Sequence, residues 1–298
     1  MKNKLILRAG EFTSFTSYYL EEFWGRYFDI SVYDPHKTYD RSGTVFAAWW
    51  MNADDEYCRQ LRDQGHKVIV DNLWEVSTRR TDYYWLENPN WYWYNESLWW
   101  RSIGYHEYQP NKKHSNLAFM PIRRQSKIRD QIIDMLGDRL DKFLWSYKDQ
   151  GLPGDVPSSH NHYQRFFNPE WYDHTYFSLV VESLQHGTHP RMTEKIFKAC
   201  AYYHPFLAIA QPGLLELLKK TGFETYQNVF DESYDSIQDF DARLDAIVKN
   251  IDNFKIEPYD LETRRRLQHN HDHFFDQALV ESRIITEIVE PLLTYAET

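Results

Sequence analysis

A group of polar and charged residues follows one short apolar run and is typical of a site that binds an anion. The run, residues 176–181, has the length and the β-branched and aromatic content of a buried strand. Because cations and main-chain N–H groups at a helix amino terminus attract negative charge, the pattern predicts a phosphate ligand. The polar residues lie at the carboxyl end of the run and at the start of the next helix: Glu182, Ser183, Arg191, Thr193, Glu194 and Lys195.

A second apolar run at 206–210 makes the segment 175–210 a strand–helix–strand unit of a parallel sheet. In open sheets of this kind, ligands bind outside the carboxyl ends of the strands. Two more polar pairs follow predicted strands: Arg123 and Arg124 after 117–121, and Ser146 and Tyr147 at the end of 142–147. Arginine at a helix start opposes the helix dipole and has a fork suited to phosphate, so these residues also indicate an anion.

The elements that must position these residues are strands and helices that alternate in two series. A polar turn at residues 110–115 separates two such series, and 298 residues suit two domains of ordinary size. We therefore predict an α/β protein with two Rossmann-like domains facing across a cleft and a helical C-terminal tail. The expected domains are residues 1–113 and 114–298. In the first, we expect strands at 4–8, 28–33, 44–50 and 67–71 and helices at 13–26 and about 54–64; in the second, helices at 125–136, 193–203, 212–221 and 231–252.

The stretch 79–110 interrupts the alternation, and its residues 83–100 are a dense series of Trp and Tyr. It is consistent with a strand-rich insertion, an aromatic cover over the sheet, or a wall of the cleft between domains. Exposed rings would stack on sugars, so a non-enzymatic carbohydrate- or protein-binding module built on this surface is an alternative function.

Composition argues against several classes of protein. The net charge of −10 argues against a sequence-independent nucleic-acid binder, which needs a basic face. Two cysteines imply no disulfide framework and favour a reducing cytoplasm. The start of the chain resembles a first strand rather than a signal peptide, and no run approaches the ~20 apolar residues of a membrane span. We therefore expect a cytoplasmic protein with no membrane partner.

Motifs of the commoner phosphate-binding and hydrolytic enzymes are missing. The chain has no G-x-G-x-x-G, no G-x-x-x-x-G-K-[ST] and no G-x-S-x-G. His269 and His273 share a helical face but lack a clear third ligand, and no D-x-D triplet ends an apolar strand. We expect no metal and no cofactor.

A nucleotide-sugar co-substrate fits the remaining pattern, since it needs positive charge for a diphosphate and an acid for ribose hydroxyls. Inverting transfer also needs one base near the acceptor hydroxyl. Three acids of the first domain follow predicted strands and are candidates for this base: Glu11, Asp71 and Glu75. A different α/β enzyme that acts on a phosphorylated small molecule remains a further alternative.

Three short segments resemble the donor half of GT-B-type glycosyltransferases: VES at 181–183, RMTEKIF at 191–197 and PF at 205–206. They are closest in style to the α-1,3-fucosyltransferase and exostosin-like group. The resemblance covers roughly residues 116–255, and Arg123, Arg124 and Arg129 are similar to the basic segment of that family. It implies that Glu194 contacts the ribose, that Lys195 contacts the diphosphate, and that Arg123 or Arg124 contacts the phosphates.

The resemblance also implies an inverting enzyme without a catalytic metal. The first half of the chain has no matching motif, so the base and the acceptor stay open. Because a membrane anchor is not expected, a cytoplasmic or phage-encoded relative fits best, in the host cytoplasm if phage-encoded. Its acceptor would be a glycan or a hydroxylated DNA base, the second weakened by the negative charge.

Overall fold

The computed structural model describes residues 2–7, 24–34, 36–41, 43–49, 56–71, 84–86, 88–122, 125–147, 168–187 and 189–298. The chain divides into two compact units. Unit 1 contains Met1–Ile103 and Asp276–Thr298, and unit 2 contains Gly104–Phe275. Two units were expected, but the chain leaves unit 1 after Ile103 rather than after residue 113, and its last segment belongs to unit 1.

Hydrogen bonds explain why the division differs from the expected one. In unit 2, the Asp173 carboxylate accepts the Tyr108 hydroxyl at 2.5 Å and the Asn111 N–H at 3.0 Å. These bonds hold the segment after Ile103 to the second sheet. In unit 1, the Glu287 carboxylate accepts the Tyr94 hydroxyl at 2.6 Å, and the Lys67 ammonium donates to the Ala296 carbonyl at 2.7 Å.

Unit 1 is built on a five-stranded parallel sheet in the order β2-β1-β3-β4-β5. This is a doubly wound order, and it confirms the parallel α/β prediction for this half. Leu5, Phe46 and Ile69 are fully buried because apolar strands of a parallel sheet are covered on both faces. The expected helix at 13–26 lies, up to residue 23, outside the described residues. The elements are β1 Asn3–Leu7, β2 Phe28–Val32, β3 Thr44–Trp49, α1 Glu56–Asp63, β4 Lys67–Asp71, β5 Tyr84–Leu86 and α2 Trp91–Ser102.

The aromatic segment forms mainly the helix α2, after the short strand β5. Trp93, Tyr94 and Trp100 are fully buried, and Trp91 is 4% exposed. Eight of its twelve residues are buried, among them the polar residues Asn95, Glu96 and Ser97. These rings therefore pack inside the protein and do not form an exposed stacking surface.

Unit 2 contains a four-stranded parallel sheet in the order β7-β6-β8-β9. The strands begin and end within two residues of the predicted positions. Two helices begin at capping residues: the Ser126 side chain accepts the N–H of Arg129, and the Thr193 side chain accepts the N–H of Lys195. The elements are β6 Asn116–Pro121, α3 Lys127–Leu136, β7 Phe143–Ser146, α4 Pro169–Asp173, β8 Thr175–Val181, α5 Glu194–Ala201, β9 Phe206–Ile209, α6 Leu214–Lys220, α7 Phe240–Asn253 and α8 Leu261–Phe274.

The chain ends with α9 Gln277–Ile284 and α10 Glu290–Glu297 of unit 1, joined by a π-helical turn at Ile285–Val289. Pro291 accounts for the turn, because it has no N–H to donate to the preceding helical carbonyls. The predicted tail is thus helical. No helix in the described part of the chain is long and apolar enough to cross a membrane.

Candidate functional site

The order of strands in unit 2 locates the edge where a ligand is most expected. From the first strand, β6, the chain continues to β7 on one side and then crosses to β8 on the other. In open α/β sheets a crevice forms at this reversal, outside the carboxyl ends of the two strands. Ile122 follows β6 at this point, and Glu182 and Ser183 follow β8. The predicted polar group therefore lies at the reversal point of the sheet.

Lys195 is the centre of this group. Its ammonium donates to the Ser183 hydroxyl at 3.2 Å, the Thr193 hydroxyl at 3.1 Å and the Glu194 carboxylate at 2.9 Å. The Glu182 carboxylate is 4.0 Å away. Burial disfavours the charged ammonium, but the two carboxylates outweigh burial and raise the pKa of Lys195 above its ordinary value. The structure thus brings together five residues that the sequence selected, and it keeps this cation charged.

Glu182 connects the end of β8 to the start of α5. Its carboxylate is 1% exposed and accepts both the N–H of Thr193, at 3.2 Å, and the Thr193 hydroxyl. Burial raises the pKa of Glu182, although Lys195 and the bonds from Thr193 oppose the shift. Glu182 therefore positions Thr193 and Lys195 from beneath the site.

Glu194 differs from Glu182 in the direction of its pKa shift. Burial pushes the pKa of Glu194 upward, but the charges of Lys195 and Lys198 together lower it below the ordinary value. Glu194 is consequently the ionised partner of Lys195. An ammonium held by an ionised carboxylate and two hydroxyls presents both the cation that a phosphate needs and the acceptor that a sugar hydroxyl needs.

Arg129 adds positive charge from a second element. It lies in the first turn of α3, is 9% exposed, and its charge acts against the protonation of Lys195. The first turns of α3 and α5 are thus close enough to interact electrostatically. Arg123 and Arg124, in the basic segment after β6, lie outside the described residues. Arg191 lies, partly buried, in the loop before α5.

Ser146 and Tyr147 lie at the end of the edge strand β7. Tyr147 is buried, and its hydroxyl donates to the Asp130 carboxylate at 2.8 Å and contacts the Ser126 carbonyl at 3.3 Å. Ser146 is also buried, and its carbonyl accepts the Ile122 N–H at 2.9 Å. In the structure Tyr147 holds the start of α3 in place and Ser146 joins the ends of two strands.

Of the three candidate bases in unit 1, Asp71 is the last residue of β4, where its position was predicted. The register pairs it with Trp49 of β3 and Leu86 of β5. Glu11 and Glu75 lie outside the described residues. The identity of the base therefore stays a prediction.

Arg243 is a buried cation that the sequence analysis did not select. It is 2% exposed and lies on α7, where it donates to main-chain carbonyls of three segments at the carboxyl edge of the sheet. The acceptors are Gln185 at 2.5 Å, Ala210 at 3.1 Å, and Ile237 and Gln238 at 2.5 and 3.1 Å. None of the described carboxylates forms an ion pair with it. A signal was present, because Arg243 occupies a position on the apolar face of its helix.

His269 and His273 serve the packing of α8 in the described structure. The His269 ring bonds the Gly222 carbonyl at 2.9 Å, and the His273 ring bonds the Thr221 carbonyl at 3.0 Å. Within the described ranges, no three His, Cys, Asp or Glu side chains are grouped so that they could hold a metal ion.

Comparisons of the chain with protein-family models, with curated proteins and with solved structures found no match. The function is therefore argued from the residues and their geometry.

Proposed function

We propose that the protein is a nucleotide-sugar-dependent glycosyltransferase whose donor binds at the carboxyl edge of the sheet in unit 2. The observation that carries this proposal is the Lys195 group at the reversal point of that sheet. A buried ion pair with two hydroxyls at this edge is more than a helix start requires, since Thr193 alone caps α5. The resemblance of the segments around Glu182 and Lys195 to GT-B donor domains is consistent with it.

In this proposal Lys195 binds the diphosphate, assisted by the charge of Arg129. Glu194 fixes the ammonium and accepts from ribose hydroxyls, while Glu182 holds the capping residue Thr193 in place. Neutralising the charge of a departing nucleoside diphosphate is the main electrostatic task of such a transfer. The cations of this edge supply that charge.

The proposed reaction is inverting transfer to an acceptor hydroxyl of a glycan or a hydroxylated DNA base, with no catalytic metal. Asp71, Glu11 or Glu75 would act as the base from unit 1, in a GT-B-like pairing of the two units. A cytoplasmic location, in a host cell if the enzyme is phage-encoded, belongs to the same proposal.

Direct binding measurements test the donor site. Titration calorimetry of the folded protein with UDP, GDP, ADP, CDP and their sugar conjugates is expected to show binding of at least one nucleotide. Lys195→Met removes a charged hydrogen bond to the phosphates, so it is expected to weaken that binding by roughly 10- to 100-fold. Lys220→Met is the matched control, because Lys220 forms an exposed pair with Glu216 on α6.

Two results would contradict the proposal. One is the absence of binding by every nucleotide and sugar nucleotide tested. The other is an equal affinity in Lys195→Met and the wild type, which would place the ligand elsewhere. Release of nucleoside diphosphate from a sugar nucleotide, lost in Asp71→Asn with donor affinity retained, would in addition identify Asp71 as the base.

A further inference from the structure

Gln211 is a buried amide that the donor site described so far does not use. The residue is 2% exposed, and neither its Nε2 nor its Oε1 has a hydrogen-bond partner among the described residues. Buried amides in folded proteins are almost always bonded, and an orphaned one calls for a specific explanation. Here both the donor and the acceptor of one side chain are orphaned.

The position of Gln211 connects it to the candidate site. It follows β9, whose last residue, Ile209, accepts the Glu182 N–H at 3.0 Å. On one side of Gln211, the Ala210 carbonyl accepts from Arg243, and on the other the Gly213 N–H donates to the Asp235 carbonyl at 2.8 Å. Gln211 thus lies in a loop at the same edge of the sheet as Glu182, braced by two other segments.

The loop that carries Arg191 passes close to Gly213, two residues after Gln211. A side-chain carbon added at Gly213 would be 3.8 Å from Pro190. Both amide atoms are shielded from solvent, so a ligand would have to displace a neighbouring group to reach them. An apolar side chain of similar length would avoid the desolvation cost of the orphaned amide, so stability alone does not account for Gln211.

We propose that Gln211 determines base specificity, by donating from Nε2 and accepting at Oε1 on one polar edge of the nucleobase. This inference rests on the proposed function, and it places the base of the nucleotide at the carboxyl end of β9. An amide offers a donor beside an acceptor, the pattern with which Gln reads a base edge. The partner chemistry is therefore a nucleoside diphosphate rather than a simple phosphate ester.

The test uses Gln211→Met and Gln211→Glu, with UDP, GDP, ADP, CDP and inorganic pyrophosphate as probes at pH 8. Gln211→Met is expected to lose about tenfold or more in affinity for the preferred nucleotide, with pyrophosphate affinity unchanged. A carboxylate has two acceptors and matches the adjacent N1–H and N2–H groups of guanine. Gln211→Glu is therefore expected to move the ratio of GDP to UDP or ADP affinity toward GDP by about tenfold.

The possible outcomes separate a failure of this inference from a failure of the proposed function. Equal nucleotide affinities in Gln211→Met and the wild type overturn the inference and leave the donor site in place. An equal loss for nucleotides and pyrophosphate also overturns it, because a structural role does not distinguish the base. If Gln211→Met does not fold, the affinity ratio within Gln211→Glu still decides, since it compares ligands on one protein. A wild type that binds no nucleotide overturns the proposed function itself.

Discussion

Removing the charge of Lys195 while keeping its length is expected to destabilise unit 2 in a pH-dependent way. In the wild type the Lys195 ammonium lies 2.9 Å from Glu194 and 4.0 Å from Glu182, and these carboxylates are 9% and 1% exposed. Breaking a buried pair by removing one partner costs about 3–5 kcal/mol. Lys195 is 25% exposed, so we expect the lower end for Lys195→Met, about 3 kcal/mol at pH 8.

The sign of the pH dependence follows from the carboxyl groups. In the wild type the pKa of Glu194 is lowered, so its contribution is complete above the ordinary carboxyl pKa and disappears as the pH falls through the lowered pKa. Without Lys195, burial raises the pKa of both Glu182 and Glu194, and stability is lost as the pH rises. The difference in the free energy of unfolding between Lys195→Met and the wild type is therefore expected to shrink by about half or more between pH 8 and pH 5.

Amide hydrogen exchange of β8 and β9, read by mass spectrometry, measures the stability of unit 2. The double variant Glu194→Gln with Lys195→Met is expected to recover about 1 kcal/mol or more at pH 8, because one unpaired charge is gone. Lys220→Met, which breaks only an exposed pair with Glu216, is the control and is expected to show no measurable change. Equal destabilisation at both pH values, or no recovery in the double variant, would refute the reasoning.

Three further predictions concern other residues of unit 2. Burial lowers the pKa of Lys112 to about 7, opposed by Asp173. The free energy of unfolding of the wild type, measured in urea, is therefore expected to rise by about 2 kcal/mol from pH 7 to pH 9. Lys112→Met should lack this rise, and Lys113→Met, at an exposed site, should keep it. Gly222→Ala should lower stability by about 1–3 kcal/mol in thermal unfolding, because φ is +102° and the added carbon would lie 2.7 Å from His273. His273→Ala in the same chain should restore part of this stability, and no recovery would show that the contact is unimportant. Arg243→Lys should lower the stability of unit 2 by roughly 3 kcal/mol and speed amide hydrogen exchange at 183–187 and 210–213, because an ammonium cannot span the four carbonyls. Unchanged exchange in both loops would contradict the role of Arg243 in holding them.

Much of the local structure was predictable because its signals are local. Buried parallel strands are nearly continuous apolar runs, so 117–121, 176–181 and 206–210 were recognisable, and Thr193 marked the start of α5. The polar group after β8 followed from the same reasoning, since the carboxyl ends of parallel strands share one edge.

The aromatic segment and the C-terminal helices show where local patterns were insufficient. Dense Trp and Tyr suit a strand, a cover or a buried helix equally, and only packing decided that α2 buries Trp93 and Trp100. The assignment of Asp276–Thr298 to unit 1 depends on bonds such as those from Asn88 and Tyr94 to Glu287. These partners are separated by 199 and 193 residues along the chain, and no sequence period encodes them.

The sequence by itself determined the α/β class, the capped helices and the residue types at the strand ends, because these depend on neighbours along the chain. The tertiary structure alone decided how those side chains share charge. It paired Lys195 with Glu194 and Glu182, and it brought Arg243 of α7 to the loops after β8 and β9. It also left the amide of Gln211 buried and unbonded within the described residues. Burial and pairing depend on residues that are distant in sequence and close in space, and for this reason the chemistry of the site became visible only in the folded chain.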